Sequence, residues 1–88
     1  MADTARFYGL GMKIRGETII FYSKYNYIVF NMKKRAGSFN GVNMNWFYVP
    51  VKKNNSWYFS ETDLLNQLDP LLRKAALTRR AVRTVMID

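Results

Sequence analysis

The chain of 88 residues contains no cysteine and no histidine. Without cysteine it forms no disulfide, and the redox compartment cannot be judged from thiols. A transition-metal site would have to be built from carboxylates alone, and the sequence has only six Asp and Glu residues. The nucleophile and base pairs that most hydrolases use are missing for the same reason. We therefore expect neither catalysis nor a cofactor within these 88 residues.

Long apolar runs are also missing, and acidic residues are unevenly distributed. No run approaches the roughly 20 apolar residues of a membrane span, and the N-terminal Met-Ala-Asp-Thr lacks the regions of a signal peptide. Residues 1–60 hold nine Lys and Arg against two acids, whereas residues 61–88 hold five against four. The net charge of +8 therefore belongs mainly to the first part. It favours an anionic partner such as nucleic acid, a membrane surface or an acidic wall polymer, without choosing among them.

The content of hydrophobic and aromatic residues predicts a folded domain. Hydrophobic residues make up 49% of the chain and aromatic residues 16%, well above the content of a disordered segment. A chain of this length forms one domain with a compact core.

The stretch from Trp57 to Leu72 organises the predicted fold. A short strand, Trp57 to Phe59, leads directly into a helix whose N-cap is Ser60, with Asp63 three residues later in the position of a capping box. The leucines that follow have the spacing of one apolar helical face, which must pack on the strands before it. They are Leu64, Leu65, Leu68, Leu71 and Leu72.

Pro70 is expected to interrupt this helix. Its ring would clash with the carbonyl of Asn66, and it disfavours helical geometry at Asp69. The pair Asp69-Pro70 has the chemistry of a restart, with Asp69 as a new N-cap. We therefore predict a helix that is broken near Asp69-Pro70.

The first half of the chain predicts hairpins behind a short helix. Asp3 is a candidate cap for an N-terminal helix that Gly9 or Gly11 ends. Strands are predicted over 12–15, 18–22 and 25–31, and Asn40-Gly41 is a strong signal for a type I′ hairpin turn. Pro50 places its segment at an edge or an irregular crossing. The predicted class is α+β: a small antiparallel sheet of hairpins, with the short N-terminal helix and the broken C-terminal helix packed on one side.

A candidate site for a wall polymer or another polyanion combines basic residues with flat aromatic rings, which suit stacking on bases or sugars. The simpler interpretation, which we favour, is that the cations form a solvated rim that protects strand edges and the aromatic residues belong to the core. The acids Glu61, Asp63 and Asp69 are better explained as helix-start residues than as a catalytic pair. The candidate residues are Lys33, Lys34, Arg35, Tyr48, Lys52, Lys53, Trp57 and Tyr58.

Several short motifs between Gly16 and Leu72 are unspecific singly but specific in their order. That order resembles the copper amine oxidase N-terminal-like (stalk) domain, as it occurs in the N-terminal regions of bacterial cell-wall amidases. The name implies no copper here, because nothing in the chain can hold copper or form a quinone. The motifs are Phe30 to Arg35 leading into Asn40-Gly41-Val42, then Val49-Pro50-Val51, Trp57-Tyr58-Phe59-Ser60 with Asp63-Leu64, and Leu68-Asp69-Pro70-Leu71-Leu72.

The tail extends the resemblance. Residues 82–88 are similar to the opening strand of zinc-dependent N-acetylmuramoyl-L-alanine amidases, whose first zinc ligand follows at once. The resemblance implies a stalk-like accessory domain over residues 1–77, and a linker with a truncated first strand of a catalytic domain over 78–88. Zinc would be held by that catalytic domain and not by this chain.

The implied function is a non-catalytic N-terminal domain of a peptidoglycan amidase in the periplasm or cell envelope, with the signal peptide removed. It would support or position its own catalytic domain and could bind peptidoglycan or another anionic wall polymer. The alternatives are a small basic domain that binds single-stranded nucleic acid, which is less favoured, and a purely structural module.

Overall fold

The computed structural model describes the backbone of residues 1–87 and the side chains of residues 1–78. A short helix comes first, seven strands follow, and a long helical segment ends the chain. The helices are α1 (Ala2–Phe7), α2 (Glu61–Asp63) and α3 (Asp69–Ile87), with a π-helical turn, Leu64–Leu68, between the last two. The strands are β1 (Gly11–Arg15), β2 (Thr18–Tyr22), β3 (Tyr27–Asn31), β4 (Ala36–Phe39), β5 (Val42–Asn45), β6 (Val51–Lys53) and β7 (Ser56–Tyr58).

The first five strands form one antiparallel sheet in the order β1-β2-β3-β4-β5, and β6 pairs with β7 in a separate two-stranded sheet. Each strand therefore pairs with its neighbour in the chain, as expected for a series of hairpins. The predicted α+β class, with helices at both ends of the chain around a sheet of hairpins, is confirmed.

The five-stranded sheet has one buried face, which we call the inner face. Ile19 and Phe21 of β2 lie opposite Phe30 and Ile28 of β3, and all four are fully buried. Because side chains alternate along a strand, the residues between them form the other, outer face. Burial alternates in the same way along the whole of β3.

Residues from distant parts of the chain cover the inner face. The Trp46 indole stacks on the Phe30 ring with 4.3 Å between ring centroids. The Phe59 ring contacts Phe21 and Phe30, and Leu68 of the π-helical turn is fully buried in the same core. The segment from Trp57 to Leu72 thus closes one side of the sheet, as predicted.

Gly9 ends α1, as one of the two predicted alternatives. Its backbone has φ +69°, its N–H donates to the Arg6 carbonyl, and the Leu10 N–H donates to the Ala5 carbonyl. These two bonds form a Schellman motif, which satisfies the last carbonyls of the helix. The predicted cap at the other end is wrong, because Met1 is the N-cap and Asp3 lies in the first helical turn.

The Asn40-Gly41 turn is confirmed. Both residues have positive φ, 51° and 84°, as a type I′ turn requires. The turn before β7 has two residues. Lys52 and Lys53 belong to β6, and only Asn54 and Asn55, with φ 51° and 62°, make the turn to β7.

Ser60 is the N-cap of α2, as predicted, and its Oγ accepts the Asp63 N–H at 2.9 Å. The predicted interruption near Asp69-Pro70 is a π-helical turn that separates α2 from α3, but the predicted restart with Asp69 as a new N-cap is wrong, because the backbone stays helical from Glu61 to Ile87. The π-helical turn before Pro70 provides the reason: the Asp69 N–H donates to Leu64, five residues back, so the backbone is already wider where the ring follows. Asp69 has helical φ and ψ and caps nothing.

The leucines of this segment differ in burial. Leu68 and Leu72 lie in the core, and Leu64 and Leu71 are partly buried, but Leu65 is 55% exposed. The predicted apolar stripe is therefore correct except at Leu65. The strand that the resemblance implies for the tail is wrong over residues 82–87, since the backbone there belongs to α3. Asp88 lies outside the described residues, and the division of the chain at residue 77 stays a prediction.

Candidate binding surfaces

The outer face of the five-stranded sheet has a basic and aromatic half. The pairing register places Lys13 beside Ile20, and Tyr22 directly opposite Tyr27. The ammonium group of Lys13 lies 5.1 Å from the centre of the Tyr22 ring and 5.7 Å from that of Tyr27. A cation over two aromatic rings is attracted by their quadrupoles.

Residues of β1 and β2 beneath the two tyrosine rings determine where the rings lie. Gly11 pairs with Tyr22, and a side chain at Gly11 would collide with the Tyr22 ring. Ile20 belongs to the outer face by register but is only 3% exposed. The rings themselves stay accessible, Tyr22 at 41% and Tyr27 at 42%. The outer face is therefore an ordered platform with an apolar floor and exposed aromatic rings.

The other end of this face carries the predicted basic triplet. Lys33, Lys34 and Arg35 form the exposed connection between β3 and β4. The Asn31 side-chain oxygen accepts the N–H groups of Lys33 and Lys34, which orders the connection. The Lys33 ammonium pairs with Glu17 of the β1–β2 turn at 2.9 Å. The triplet thus lies at the edge of the outer face, beside the turn that follows β1.

The remaining predicted residues surround the second sheet. Lys52 pairs with Trp57, and Val51 pairs with Tyr58. Trp57 is only partly buried but packs against the core, and its carbonyl accepts the N-terminal ammonium group of Met1 at 2.7 Å. Trp57 therefore packs at the edge of the core, whereas Tyr58 is 51% exposed.

The structure thus divides the eight predicted residues between two places. Lys33, Lys34 and Arg35 belong to the edge of the large sheet, while the other five belong to the small sheet and the segment before it. The sequence interpretation missed Lys13, Tyr22 and Tyr27 as binding candidates. They are far apart in the chain, and only the strand register brings them together.

The segment before β6 is exposed and apolar. Phe47, Tyr48 and Val49 are 48%, 60% and 38% exposed, although Trp46 before them and Pro50 after them are buried. We call residues 47–49 the apolar loop. The burial of both neighbours holds the loop on the surface at its two ends.

A buried carboxylate fixes the apolar loop from inside. Asp63 is fully buried, and its Oδ1 accepts the Phe47 N–H at 2.7 Å while its Oδ2 accepts the Tyr48 N–H at 3.2 Å. Ser60 Oγ and Gln67 Nε2 donate to the same carboxylate at 2.8 and 2.9 Å. Four donors compensate for burying its charge. Asp63 therefore does more than the predicted helix-start role, because it ties residues 47 and 48 to α2.

Asp69 has a structural partner in α1. The Tyr8 hydroxyl donates to Asp69 Oδ1 at 2.6 Å, and Asp69 Oδ2 pairs with Arg73 at 2.9 Å. Burial, followed by the hydrogen bond and the negative charge of Asp69, raises the pKa of Tyr8 to about 12. Asp69 therefore fastens α1 to α3 instead of capping a new helix.

Among the residues that the structure describes, no three His, Cys, Asp or Glu side chains are placed to hold a metal ion together. The helices of the described part include none that is long and apolar enough to cross a membrane. No family model, curated protein or solved structure matches this chain. The resemblance to the stalk domain therefore stays a prediction.

Proposed function

We propose that this domain is a non-catalytic module that binds single-stranded nucleic acid on the outer face of its five-stranded sheet. One observation carries the proposal: the Lys13 ammonium lies over the exposed rings of Tyr22 and Tyr27 on an ordered sheet face. Proteins that bind single strands without sequence preference combine such rings, on which bases stack, with cations along the backbone path.

The charge of the surrounding residues supports the same proposal. By register, Arg15 follows Lys13 on the outer face, and the exposed triplet from Lys33 to Arg35 lies beyond it. Between residues 4 and 60 the only acid is Glu17, which is paired with Lys33. The two ends of the five-residue strand β3, the tyrosine end and the triplet end, are about 14 Å apart. A flexible strand could thus place a base on a ring and phosphates near the triplet.

The test is a fluorescence anisotropy titration with labelled single-stranded DNA and RNA of about ten nucleotides. We expect salt-sensitive binding at micromolar protein. Tyr27→Leu should weaken it about tenfold, because one base loses its stacking partner. Lys13→Gln should lower the salt slope by about 0.7, the value for one phosphate contact to a single strand.

The matched controls are Tyr58→Leu and Lys74→Gln, an exposed tyrosine and an exposed lysine outside the outer face. Tyr58→Leu should leave the affinity unchanged, and Lys74→Gln should lower it only by the effect of losing one distant charge. Equal losses of affinity in the control variants would show that the outer face is not the binding site. An absence of salt-sensitive binding, even at low salt, would contradict the proposed function.

The second candidate is the accessory domain of a zinc-dependent peptidoglycan amidase in the periplasm or cell envelope. It is supported by the order of the Asn40-Gly41 hairpin, the strand at Trp57 and the helix capped by Ser60, on which the resemblance to the stalk domain rests. In this proposal the basic surface faces an anionic wall polymer, and the zinc belongs to a following catalytic domain.

Pull-down with insoluble peptidoglycan at low and moderate salt tests this candidate. Retention that soluble oligonucleotide does not displace would favour the wall polymer. A lack of retention at low salt would show that the domain does not bind the wall polymer. If Lys52→Gln with Lys53→Gln abolishes retention while Lys13→Gln does not, the predicted residues of the small sheet carry it.

A further inference from the structure

The strand β1 forms one edge of the five-stranded sheet, and the hydrogen bonds of β2 show which of its backbone groups point outward. At the two ends of the ladder between β2 and β3, the Met32 N–H donates to the Glu17 carbonyl and the Ser23 N–H donates to the Asn26 carbonyl. The bonding direction alternates along an antiparallel strand. The odd-numbered residues of β2 therefore bond β3, and its even-numbered residues bond β1.

Met12 and Ile14 consequently present unpaired backbone groups at the edge. By register Lys13 lies opposite Ile20, an even-numbered residue, and so Lys13 bonds β2. The residues on either side of Lys13 turn their N–H and C=O groups away from the sheet. In the part of the chain that the structure describes, these groups have no other hydrogen-bond partner. A row of such groups is a template for one more strand.

The opposite edge of the sheet, at β5, is partly covered. The Trp46 N–H donates to the Arg35 carbonyl, so the same alternation turns the backbone groups of Asn43 and Asn45 outward. The Gln67 side chain donates to the Asn45 carbonyl at 3.2 Å. The helical segment thus bonds the edge at β5, whereas the edge at β1 stays open to a partner. Asn43 offers a matched control position on the covered edge.

A groove of about 290 Å³ lies beside the open edge, on the side of the inner face. Met12 and Ile14 line it from β1, Trp57 and Tyr58 line it from β7, and the first turn of α1 borders it. Ile14 is 53% exposed, although its strand partner Ile19 is fully buried. A strand added to the edge would cover Ile14 with its own inward side chains. Those side chains should therefore be apolar.

The charges on the other side of β1 select the outward side chains of the partner. Lys13 and Arg15 are exposed on the outer face. A second copy of this chain paired through β1 would bring these like charges together, which is destabilising, whereas acidic side chains would be attracted. The nearby acids do not oppose this choice, because Asp3 borders the groove on the inner side and Glu17 is paired with Lys33.

From this edge we infer that β1 takes up an extended peptide segment as a sixth, antiparallel strand, with alternate apolar side chains in the groove and acidic side chains beside Lys13 and Arg15. Proteins that bind peptides by strand addition gain affinity from main-chain bonds and specificity from pockets for alternate side chains. The inference goes beyond the proposed function, because its bonds come from backbone groups of Met12 and Ile14 that nucleic-acid binding does not use.

A synthetic peptide of about seven residues that alternates valine and glutamate tests the inference in an amide NMR titration of the full chain. We expect the amide signals of Met12 and Ile14 to shift. Two N-methylated forms of the peptide give the sharpest comparison. In an antiparallel pair the residues that bond Met12 and Ile14 share their face, so the valines make the bonds. Methylation of the valine nitrogens should abolish binding, and methylation of the glutamate nitrogens should preserve it.

Variants of the protein test the same edge. Ile14→Pro should abolish binding, because it removes an outward N–H and leaves the bonds to β2 in place. Ile14→Val keeps that N–H and should bind like the wild type, as should Asn43→Pro on the edge at β5. Arg15→Gln should weaken binding about threefold through loss of one cross-strand charge pair. Urea unfolding shows whether the proline variants fold, and the comparison of methylated peptides uses the wild-type protein alone.

The absence of amide shifts at about 1 mM peptide, where even weak complexes form, would overturn the inference. Equal losses with the two methylated peptides, or a loss in Asn43→Pro, would show that the edge of β1 is not the site. Equal binding of a peptide with lysine in place of glutamate would reject the acidic partner. Shifts of Met12 and Ile14 that grow with protein concentration, without peptide, would identify a second copy as the occupant and reject the peptide.

Discussion

The carboxylate of Asp63 accepts the backbone N–H of Phe47 at 2.7 Å, although the two residues are separated by 16 positions in the chain. The same carboxylate accepts the N-cap hydroxyl of Ser60. One buried side chain therefore joins the start of the C-terminal helical segment to an exposed loop that precedes the small sheet.

Asp63→Asn should destabilise the protein by about 3 kcal/mol, because an amide group accepts through one oxygen only and leaves buried donors unpaired. Urea unfolding followed by circular dichroism measures the loss. Glu61→Gln is the control, since Glu61 is exposed in the same first turn. A loss no larger than that of Glu61→Gln would show that neither the charge nor the second oxygen of the Asp63 carboxylate is needed for stability.

Ser60→Ala should cost about 1 kcal/mol through loss of the N-cap. The expected loss depends on Asp63, because Ser60 Oγ both accepts the Asp63 N–H and donates to its carboxylate. In the background of Asp63→Asn, Ser60→Ala should therefore cost less than it does alone. Thr62→Ala, at an exposed neighbour, is the control, and additive losses would contradict the coupling.

Much of the fold follows from local sequence. The bounds of β2 and the Asn40-Gly41 turn agree with the prediction, because a run of β-branched and aromatic residues and a pair tolerant of positive φ are local signals. The cap at Ser60 is local as well. The continuous helical backbone across Pro70 is not predicted, because residue propensities do not signal the π-helical turn that precedes the ring.

The candidate surfaces were less accessible to sequence reasoning. Lys33, Lys34 and Arg35 were found because adjacent charges are visible in the chain. Lys13, Tyr22 and Tyr27 become neighbours only through the register of three strands. The position of Asp63 three residues after Ser60 predicts its role at the start of the helix. Its bonds to Phe47 and Tyr48 are contacts between distant parts of the chain, which no local pattern predicts.

Gly37→Ala should destabilise the protein by about 3 kcal/mol, the upper end of the usual cost of overpacking. A methyl group at this position would collide with the Trp46 indole nitrogen and the Val29 carbonyl oxygen, between which a hydrogen bond of 3.2 Å is made. Both the bond and the stacking of Trp46 on Phe30 would be disturbed. Urea unfolding gives the size of the loss, and near-UV circular dichroism reports the tryptophan. Ser38→Ala, at the next residue, should have a small effect, and equal effects would contradict the steric argument.

Alkaline pH should weaken the contact between α1 and α3. Because the pKa of Tyr8 is raised to about 12 in the folded protein, the folded state keeps a proton that the unfolded chain releases near pH 10. The contribution of Tyr8 is thus complete below pH 10 and falls as pH rises from about 10 to 12. Tyr8→Phe should reduce this loss, and tyrosinate absorbance should lose its highest-pH transition. An unchanged absorbance titration would show that the Asp69 contact does not hold the proton.

Glu17→Gln should strengthen binding of single-stranded nucleic acid in the proposed function. Glu17 is paired with Lys33 at the edge of the outer face, and both side chains are largely exposed, so the pair itself contributes little to stability. Removing the carboxylate frees one cation for a phosphate and removes a repulsive charge, which we expect to raise affinity about threefold to tenfold at low salt. The gain should shrink at high salt, where exposed charges are screened.

The double change Glu17→Gln with Lys33→Gln serves as the control for that gain. If the freed ammonium of Lys33 is responsible, the double variant should bind more weakly than Glu17→Gln alone. If only the long-range field is responsible, removing the carboxylate should raise affinity by the same factor with or without Lys33, and the triplet would then have no direct contact with the strand. Anisotropy titrations of the wild-type protein, Glu17→Gln, Lys33→Gln and the double variant at two salt concentrations separate these outcomes.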